Sequence, residues 1–514
     1  MRFRSRGRAR SALAACSALV VALFLSACHP SPRPVATPRL SAVQQLQHDI
    51  DAILAAPALE HSVWGVLVTS LARTDEEETL YSLHARTLLM PASNMKIVTL
   101  AAAAARLGWD FHYETRLVAD GPIQGGVLHG DLIVIGSGDP SIGGRDGPPA
   151  HVFDAWAENL KAIGLRRIEG RIIGDDDRFE DETLGAGWTW DDLSEGYAAG
   201  VGALQFNENA IRATIAPGLA LGDWAIVSVE PPGSGLVIRN ELTTTAAGTA
   251  LSITPRRLPG SSQLELRGSV PLESVPSAHT LSVDNPTQFF VTVLRNTLIA
   301  HGIGVDGPPV DIDDIDDVTD RPSRDGASVL LSHQSPPLSM LATTLMKVSQ
   351  NLYAETFLKT LSSPGMNDGV GTSSDGLTAV RETMKAWGVE DGGLIMRDGS
   401  GLSRYNYVTP HTLVTILTHV DRDDQLRGPF ESALPIAGRD GTLSRRMVGT
   451  VAEGNAHAKT GSISNGRSLS GFVTTADGER LVFSIIANNF ETPASVIEQE
   501  SDHIVVRLAQ FRRH

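Results

Sequence analysis

The sequence predicts a mixed α/β (α+β) fold in which two mainly helical regions flank a large β-rich insert. Apolar stretches with helical spacing occur before about residue 118 and again after about residue 319. Between them, from 119 to 318, short apolar runs alternate with Gly, Pro and Asp turns, a texture typical of strands. The chain of 514 residues is also longer than one ordinary core accommodates, so two or more domains are expected.

The N-terminal 27 residues have the features of an export signal. Arginine occupies every even position from 2 to 10, and an apolar segment too short for a comfortable membrane span follows from 12 to 27. The segment ends in Leu-Ser-Ala-Cys, which resembles the bacterial lipobox in which the cysteine, here Cys28, is lipidated. We therefore expect an extracytoplasmic protein, in the periplasm or at the cell surface, anchored by lipid at Cys28. Ordinary cleavage and secretion is the alternative.

Composition excludes several other classes of protein. One of the two cysteines lies inside the signal, so no internal disulfide is expected. A formal net charge of −16 argues against nucleic-acid binding, which needs concentrated positive charge. No later apolar run approaches 18 residues, so the only predicted membrane contact is the N-terminal lipid anchor. The proline-rich residues 28–40 are predicted to form an extended tether before the folded part.

The first folded region, 41–118, is predicted to contain a helix at 40–56, two strands at 62–72 and 79–86, and a buried helix. This last helix has the sequence PASNMKIVTLAAAAARLG, in which Pro91 and Ser93 favour a first turn and no polar face is present. Ser93 and Lys96 are three positions apart and lie on one helix face, where a buried amine can contact the hydroxyl. A capping serine followed by an exposed lysine is the alternative that the spacing leaves open.

The insert, 119–318, is predicted to be β-rich and to hold two nested subdomains. It contains one clear helix, which begins at Asn285. The acidic stretch VDIDDIDDVTD, 310–320, marks the end of the insert and is predicted to be a solvated loop rather than a metal site, because its aspartates lack the spacing of a calcium loop. Neither a metal nor a cofactor is therefore expected.

The region 319–514 is predicted to return to helices. Two apolar helices meet near Ser349, further helices are predicted at 381–389 and 409–420, and two strands and a closing helix from Pro493 end the chain. Ser349-Gln350-Asn351 lies at the turn between the two apolar helices, where polar side chains can face a cleft. Lys459-Thr460-Gly461, followed by Ser462, opens a predicted edge strand that a substrate backbone can approach at the glycine.

The three motifs occur in the order Ser-x-x-Lys, Ser-x-Asn and Lys-Thr-Gly, which is the signature of penicillin-binding proteins and class A β-lactamases. The wide separation of the first two motifs leaves room for the insert. The chain resembles the D-alanyl-D-alanine carboxypeptidase and endopeptidase family of the penicillin-binding protein 4 type, also in the stretches GSGDPSI (136–142), DGSGLSR (398–404) and GRDGTLSRRM (438–447).

The resemblance implies a β-lactamase/transpeptidase-like catalytic domain, an antiparallel sheet flanked by helices, built from 41–118 and 319–514 around the insert. It also implies peptidoglycan stem peptides as substrates and β-lactams as inhibitors. Carboxypeptidase and endopeptidase activity stay open alternatives, because both reactions cut next to a D-alanine. The oligomeric state is left open as well.

The expected chemistry is an acyl-enzyme on Ser93. Serine needs a base within hydrogen-bond reach, and Lys96, its pKa lowered by burial and by a neighbouring amine, is the predicted base. Ser349 is expected to relay a proton to the leaving amine, and Asn351 to hold Lys96 and the substrate amide.

Substrate binding is expected at the third motif. Lys459 is predicted to stay charged and to bind the substrate carboxylate, with the hydroxyls of Thr460 and Ser462 as further donors. By resemblance, the backbone N–H groups of Ser93 and Ser462 form the oxyanion hole.

Two other functions fit parts of the pattern. A serine β-lactamase shares the three motifs, but we find no Glu-x-x-Leu-Asn stretch of the kind that supplies deacylation in class A enzymes. A non-catalytic wall-binding lipoprotein would carry the triplets by accident. A Ser-His-Asp hydrolase is disfavoured, because the chain has no Gly-x-Ser-x-Gly elbow.

Overall fold

The computed structural model describes residues 40–72, 78–144, 149–317, 321–322, 327–362 and 369–513. The predicted signal, the lipobox with Cys28 and nearly all of the predicted tether lie outside the described residues. The elements below all belong to the unit formed by Ser41–His514. No helix among the described residues has the length and apolar character needed to cross a membrane.

The described residues form ten α-helices. In chain order these are α1 (Ala42–Leu54), α2 (Met95–Leu107), α3 (His151–Ala162), α4 (Pro286–Ala300), α5 (Leu338–Lys347), α6 (Asn351–Leu361), α7 (Ser373–Ala386), α8 (Pro410–Arg422), α9 (Asp424–Ala433) and α10 (Ala494–Gln510). Most of them begin where the sequence provides a cap: the side chains of Ser41, Asn285, Thr372 and Thr409 each accept a hydrogen bond from an N–H of the first turn.

Twenty-two strands are present in the same residues. They are β1 (Val63–Ser70), β2 (Glu78–Leu83), β3 (Glu114–Asp120), β4 (Ile123–Gln124), β5 (Val127–Leu128), β6 (Asp131–Ile135), β7 (Arg167–Ile168), β8 (Ile172–Asp175), β9 (Ala210–Ala216), β10 (Ile226–Glu230), β11 (Val237–Thr245), β12 (Ser252–Arg256), β13 (Gln263–Pro271), β14 (Ser277–Ser282), β15 (Gly304–Val305), β16 (Pro309–Asp311), β17 (Ser328–Gln334), β18 (Leu394–Ile395), β19 (Tyr407–Val408), β20 (His457–Ile463), β21 (Gly466–Thr474) and β22 (Arg480–Asn488).

One antiparallel sheet joins the two ends of the folded chain, in the order β2-β1-β22-β21-β20. Its centre is the pairing of β1 with β22, which runs from Val63 opposite Asn488 to Ser70 opposite Leu481. β20 pairs with β21 and forms the edge of the sheet, so the predicted edge strand of the third motif is confirmed. The two strands predicted around the Ala-Asp-Gly turn are β21 and β22.

Helices cover both faces of this sheet because its side chains alternate between two apolar clusters. Val66 and Val68 belong to the cluster that includes residues of α1 and α10, whereas Leu67 belongs to the cluster formed with α2 and α5 to α8. α2 lies in the middle of the second cluster, and all its residues from Met95 to Ala104 are buried. The prediction of a buried helix after Pro91 is therefore confirmed, and Gly108 ends it with a φ of 79°.

The residues between β3 and β17 contain most of the remaining strands. The mixed sheet β16-β8-β6-β3-β17 shares an apolar cluster with α3 and α4, separate from the two clusters above. The rings of Phe153, Phe206 and Phe290 pack together in this cluster. Three smaller sheets, β15-β7-β5-β4, β10-β9-β14 and β11-β13-β12, complete the region. The β-rich texture predicted for these residues is present, together with the helix predicted after Asn285.

The described part of the acidic stretch, 310–317, differs from the predicted solvated loop. Its first residues are strand β16, which pairs with β8, and Asp311 and Ile312 are buried, with 5% and 4% of their surface exposed. Ile312 and Ile315 pack on Ile173, so the apolar residues spaced between the aspartates anchor the segment. The prediction of a solvated loop considered the aspartates and not the isoleucines between them.

Three carboxylates of this region also lie close together. Oxygen atoms of Asp176, Asp311 and Asp313 lie within 4.8 Å of one another. Burial, with the neighbouring charge of Asp311, raises the pKa of Asp176 to about 7.

Candidate active site

Ser93 lies in a short 3-10 turn, Ala92–Asn94, that leads into α2. The preceding Ala92 has a φ of 47°, a left-handed conformation that a residue with a side chain adopts at a cost. The helix itself begins at Met95, so Ser93 stands before the helix and not in its first regular turn. This position leaves the serine partly exposed while the lysine one turn later is fully buried.

Lys96 is completely buried and donates to three oxygen atoms. Its Nζ lies 3.0 Å from Ser93 Oγ, 2.6 Å from Asn351 Oδ1 and 2.7 Å from the Ser400 carbonyl oxygen. The predicted contact between the serine and the lysine is present, and the alternative of an exposed lysine is wrong.

Burial also sets the charge of this amine. Desolvation lowers the pKa of Lys96 to about 7, although the carboxylates of Glu355 and Asp398 oppose the shift. A substantial fraction of Lys96 is therefore neutral near pH 7, which is the state that can accept a proton from a hydroxyl.

The second motif occupies the turn between α5 and α6, as predicted. Ser349 has a φ of 62°, so the backbone reverses there and the two helices diverge. Asn351 begins α6 and is bound on both sides: its Oδ1 accepts from Lys96, and its Nδ2 donates to the Tyr197 carbonyl at 2.7 Å. The residue that holds the lysine is thus itself held by the β-rich region.

The third motif lies on β20. Lys459 is fully buried, and its Nζ donates to Ser349 Oγ at 2.8 Å and to the Thr460 carbonyl at 2.7 Å. The Thr460 hydroxyl donates to Thr442 Oγ1 at 2.7 Å. These contacts join the edge strand to the turn between α5 and α6.

The charge expected for Lys459 is not supported by its surroundings. Burial, and next the charge of Lys96, lower its pKa well below the ordinary value of 10.5. In the site without substrate this shift runs against the prediction that Lys459 stays charged. A carboxylate placed beside Nζ would reverse it, because an opposite charge favours the ammonium form.

Gly461 is needed for a reason that differs from the predicted one. A Cβ at this position would lie 2.2 Å from Ser468 Oγ, 2.5 Å from the Pro91 carbonyl oxygen and 3.1 Å from the Asn94 nitrogen. The glycine therefore lets β20 lie against the turn that carries Ser93. The prediction from the sequence was only that a substrate could approach there.

One cleft of about 300 Å³ collects the motifs. Residues of all three motifs line it together with residues from the β-rich region and the loops around 402, 442 and 463: Ser93, Asp192, Tyr197, Ser349, Asn351, Gly401, Leu402, Arg404, Thr442, Thr460, Ser462, Ile463 and Ser464. The hydroxyls predicted from three distant stretches therefore meet in one cleft, and the buried amines of Lys96 and Lys459 are hydrogen-bonded to two of them, those of Ser93 and Ser349.

The loop 398–401 is a part of the site that was not predicted as such. Its Ser400 carbonyl is one of the three acceptors of Lys96, and the buried Glu355 of α6 accepts hydrogen bonds from the N–H groups of Gly399 and Ser400. The loop's sequence, Asp-Gly-Ser-Gly, was among the stretches that carried the resemblance. A carboxylate at the fifth position of an apolar helix was the available signal for Glu355.

Comparison with known proteins gives consistent results. The D-Ala-D-Ala carboxypeptidase 3 (S13) family matches residues 46–511. Over 527 residues the chain is 34% identical to the D-alanyl-D-alanine carboxypeptidase of Actinomadura sp. (strain R39), covering 99% of this chain and 92% of that protein. It is 26% identical over 446 residues to D-alanyl-D-alanine carboxypeptidase DacB of Haemophilus influenzae, covering 86% of this chain and 88% of that protein.

The fold is also similar to a crystal structure of penicillin binding protein 4 (dacB) from Haemophilus influenzae, with a TM-score of 0.78 and 25% identity. The match covers 91% of this chain and 99% of that one. These similarities confirm the resemblance stated from the motifs and the predicted fold class.

Proposed function

The chain belongs to the D-Ala-D-Ala carboxypeptidase 3 (S13) family, and we propose that Ser93 is the nucleophile of this serine-type peptidase. The observation that carries the proposal is the contact of Ser93 Oγ with Lys96 Nζ, a buried amine whose pKa is lowered to about 7. A weak nucleophile and a group able to take its proton are thus within hydrogen-bond distance.

The proposed reaction has two halves. Lys96 takes the proton of Ser93 as Oγ attacks the carbonyl carbon of the penultimate D-alanine. As the bond to the terminal residue breaks, Ser349 gives its hydroxyl proton to the leaving amine and receives in its place the proton held by Lys96, which is then neutral again. Water then attacks the acyl-serine and regenerates the hydroxyl. Ser93 and Ser349 both line the cleft, and Lys96 contacts Ser93 from the buried side, which supports a proton path from Lys96 by way of Ser349 to the leaving nitrogen.

The developing negative charge needs donors that are already in place. We assign this role to the backbone N–H groups of Ser93 and Ser462, worth about 3 kcal/mol each in comparable sites. Support comes from Gly461, whose close contact with Pro91 and Asn94 brings the two segments side by side.

The substrate carboxylate is assigned to Lys459, with the hydroxyls of Thr460 and Ser462 beside it. A lysine buried beside a second amine gains most from an arriving anion, because the anion restores its positive charge. The substrates proposed are peptidoglycan stem peptides, cross-linked or free, and β-lactams are proposed to acylate the same serine.

The location proposed is outside the cytoplasm, where peptidoglycan is found. Cys28 is proposed as the lipid anchor on the basis of the Leu-Ser-Ala-Cys sequence. Residues 119–318 are proposed to form a domain inserted into the catalytic domain. The pairing of β3 with β17 supports the insertion, since the chain enters and leaves that region through neighbouring strands.

The proposal is tested with labelled penicillin and purified muropeptides. The protein should bind one equivalent of a fluorescent penicillin covalently, and Ser93→Ala should bind none while keeping its fold. Ser432→Ala, an exposed serine of α9, is the matched control and should label like the wild type. Covalent labelling of a folded Ser93→Ala protein would show that another residue is the nucleophile.

The products released from purified muropeptides then identify the reaction. Release of free D-alanine from linear stem peptides identifies a carboxypeptidase, and separation of cross-linked stems identifies an endopeptidase. Turnover of a chromogenic cephalosporin over many cycles, with no release from muropeptides, would instead identify a β-lactamase.

A further inference from the structure

Glu355 is a buried carboxylate close to the reacting groups that the mechanism above does not use. It lies one turn after Asn351 on α6, and 5% of its surface is exposed. Its two oxygens accept hydrogen bonds from consecutive backbone N–H groups: Oε2 from Gly399 at 2.8 Å and Oε1 from Ser400 at 2.7 Å. A buried carboxylate is costly, so its placement against one short loop calls for a physical reason.

The loop it binds is held from several sides. Asp398, at the start of the loop, accepts from the Gly401 N–H at 2.8 Å and from Trp188 Nε1 at 2.9 Å. Gly401 is pressed on the Ala92 carbonyl so closely that a Cβ there would lie 1.8 Å from its oxygen. The loop 398–401 therefore lies between α6 and the turn that carries Ser93.

The carbonyl groups of the same loop point to α2. The Gly399 oxygen accepts from Thr99 Oγ1 at 2.6 Å, and the Ser400 oxygen accepts from Lys96 Nζ at 2.7 Å. The Ser400 N–H that Glu355 binds belongs to the same peptide group as the Gly399 oxygen, whereas the peptide group of the Ser400 oxygen carries the Gly401 N–H, which Asp398 binds. Glu355 therefore fixes the Ser400 carbonyl through the adjoining peptide group. Moving Glu355 would move the acceptor of the lysine.

The Ser400 carbonyl matters because the number of N–H bonds on a neutral amine decides where its lone pair points. A neutral lysine has two N–H bonds and one lone pair. If Asn351 Oδ1 and the Ser400 carbonyl accept the two protons, the lone pair is left to face Ser93 Oγ, the third atom near Nζ. Two fixed carbonyl-type acceptors therefore aim the base at the nucleophile.

We propose that Glu355 is a positioning residue for the reaction, which fixes the Ser400 carbonyl and supplies a negative charge beside Lys96, so that the amine is oriented towards Ser93. The proposal rests on the proposed function, because it concerns the base of that reaction. Glu355 contacts no substrate and reacts with nothing itself.

The charges around the lysine are consistent with this role. Burial lowers the pKa of Lys96, and the carboxylates of Glu355 on α6 and Asp398 in the loop oppose this shift. Lys459 on β20 is the neighbouring amine: burial lowers its pKa, and the positive charge of Lys96 lowers it further. Glu355 also lies one turn before Lys359 of α6, whose pKa burial lowers against the opposing charges of Glu180 and Glu355. Burial raises the pKa of Glu355 to about 7, so the carboxylate becomes negative over the same pH range in which Lys96 becomes neutral, and its charge favours the ammonium form of Lys96 most strongly above that pH.

Three variants test the proposal in the full-length protein. Glu355→Gln removes the charge and one of the two acceptors, Glu355→Asp keeps the charge but is too short to reach both N–H groups, and Thr99→Val loosens the same loop without changing any charge. The measurement is the second-order rate constant for acylation by a fluorescent penicillin as a function of pH, with thermal unfolding recorded for each variant.

Glu355→Gln should lower the rate constant by about 10-fold to 100-fold, because a base misplaced by a fraction of an ångström loses much of its effect. The rate constant should rise with pH as Lys96 loses its proton, and we call this rise the acid limb of the pH profile. Glu355→Gln should move the acid limb to lower pH, because it removes the negative charge that raises the pKa of Lys96. Glu355→Asp should lower the rate constant and leave the acid limb in place. Thr99→Val should also leave the limb in place.

A Glu355→Gln profile with the wild-type acid limb would overturn the proposal, since a merely structural residue would behave like Thr99. If Glu355→Gln does not fold, a Glu355→Asp protein that reacts at the wild-type rate overturns it instead. Failure of the proposed function is seen separately: in that case the wild-type protein itself is not labelled at Ser93.

Discussion

Lys459 donates a hydrogen bond to Ser349 Oγ over 2.8 Å, and the charged group that acts on this buried lysine is a second amine, that of Lys96. The two residues come from an edge strand and from a turn between two helices. Their contact joins these two segments beside the cleft that Ser93 and Ser349 line, and it leaves a buried amine whose neighbours are a hydroxyl, a carbonyl and a second lysine. An amine in this setting destabilises the protein without substrate, and an anion bound beside it would stabilise its charged form.

We first predict that Lys459→Met stabilises the fold while abolishing carboxypeptidase activity. The side chain is fully buried, and replacing an uncompensated buried amine with an apolar chain of similar length should raise the free energy of unfolding by about 1 kcal/mol or more. Thermal unfolding and D-alanine release measure the two effects.

The stabilisation should depend on pH. Between the lowered folded pKa and the ordinary value of 10.5, the unfolded wild type binds a proton that the folded one does not, so wild-type stability rises with pH. The advantage of Lys459→Met should therefore be larger near pH 7 than near pH 10. A variant less stable than the wild type at both pH values would contradict the prediction.

Ser349→Ala should slow acylation by about 100-fold or more, because a group that relays a proton contributes on this order. The fold should persist, since the hydroxyl is partly exposed and its loss leaves Lys459 with the Thr460 carbonyl as a partner. Rates of penicillin acylation are the measurement, and Ser374→Ala, an exposed serine of α7, serves as the control. Equal rates for both variants would remove Ser349 from the mechanism.

The acylation rate of the wild type should rise with pH through about 7. The neutral amine of Lys96 is the base, its pKa is lowered to about 7 by burial, and the neutral fraction grows as pH rises through that value. Rate constants measured from about pH 5 to about pH 9 check this. A rate independent of pH over that range would exclude Lys96 as the titrating base.

Asn351→Asp should shift the same limb in the opposite direction to Glu355→Gln. A carboxylate placed 2.6 Å from Lys96 Nζ raises the pKa of the amine, so the base becomes available at higher pH. The variant also loses the donor to the Tyr197 carbonyl, which should lower the maximal rate. The paired profiles of Asn351→Asp and Glu355→Gln form the test, and shifts of the same sign would argue against both assignments.

Gly461→Ala should abolish labelling by penicillin. Its Cβ would meet Ser468 Oγ and the Pro91 carbonyl at 2.2 Å and 2.5 Å, so β20 must move away from the turn of Ser93. Overpacking of this kind costs about 1 to 3 kcal/mol. Gly428→Ala is the control, because no atom lies within 4 Å of a Cβ there, and it should be neutral or stabilising by about 0.5 to 1 kcal/mol. Normal labelling of Gly461→Ala would show that the close approach is dispensable.

Much of the chemistry could be predicted from the sequence because it depends on local geometry. Residues three apart in a helix share a face, and the 3-10 turn that leads from Ser93 into α2 keeps this relationship, so Ser93 and Lys96 are neighbours as the spacing predicts. The unbroken apolar run of that helix likewise implied that Lys96 is buried, and the order of the three motifs identified the family.

Other parts of the site depend on contacts between segments far apart in sequence. Glu355 and the Ser400 carbonyl orient Lys96 through backbone groups, which every residue carries and no motif reveals. The acidic stretch that ends the insert was expected in solvent and is partly buried, because its isoleucines find an apolar partner in Ile173. Residue types and spacing in the sequence therefore identify the reacting groups. Long-range packing decides their charge states and orientation, because burial and backbone direction exist only once the chain has folded.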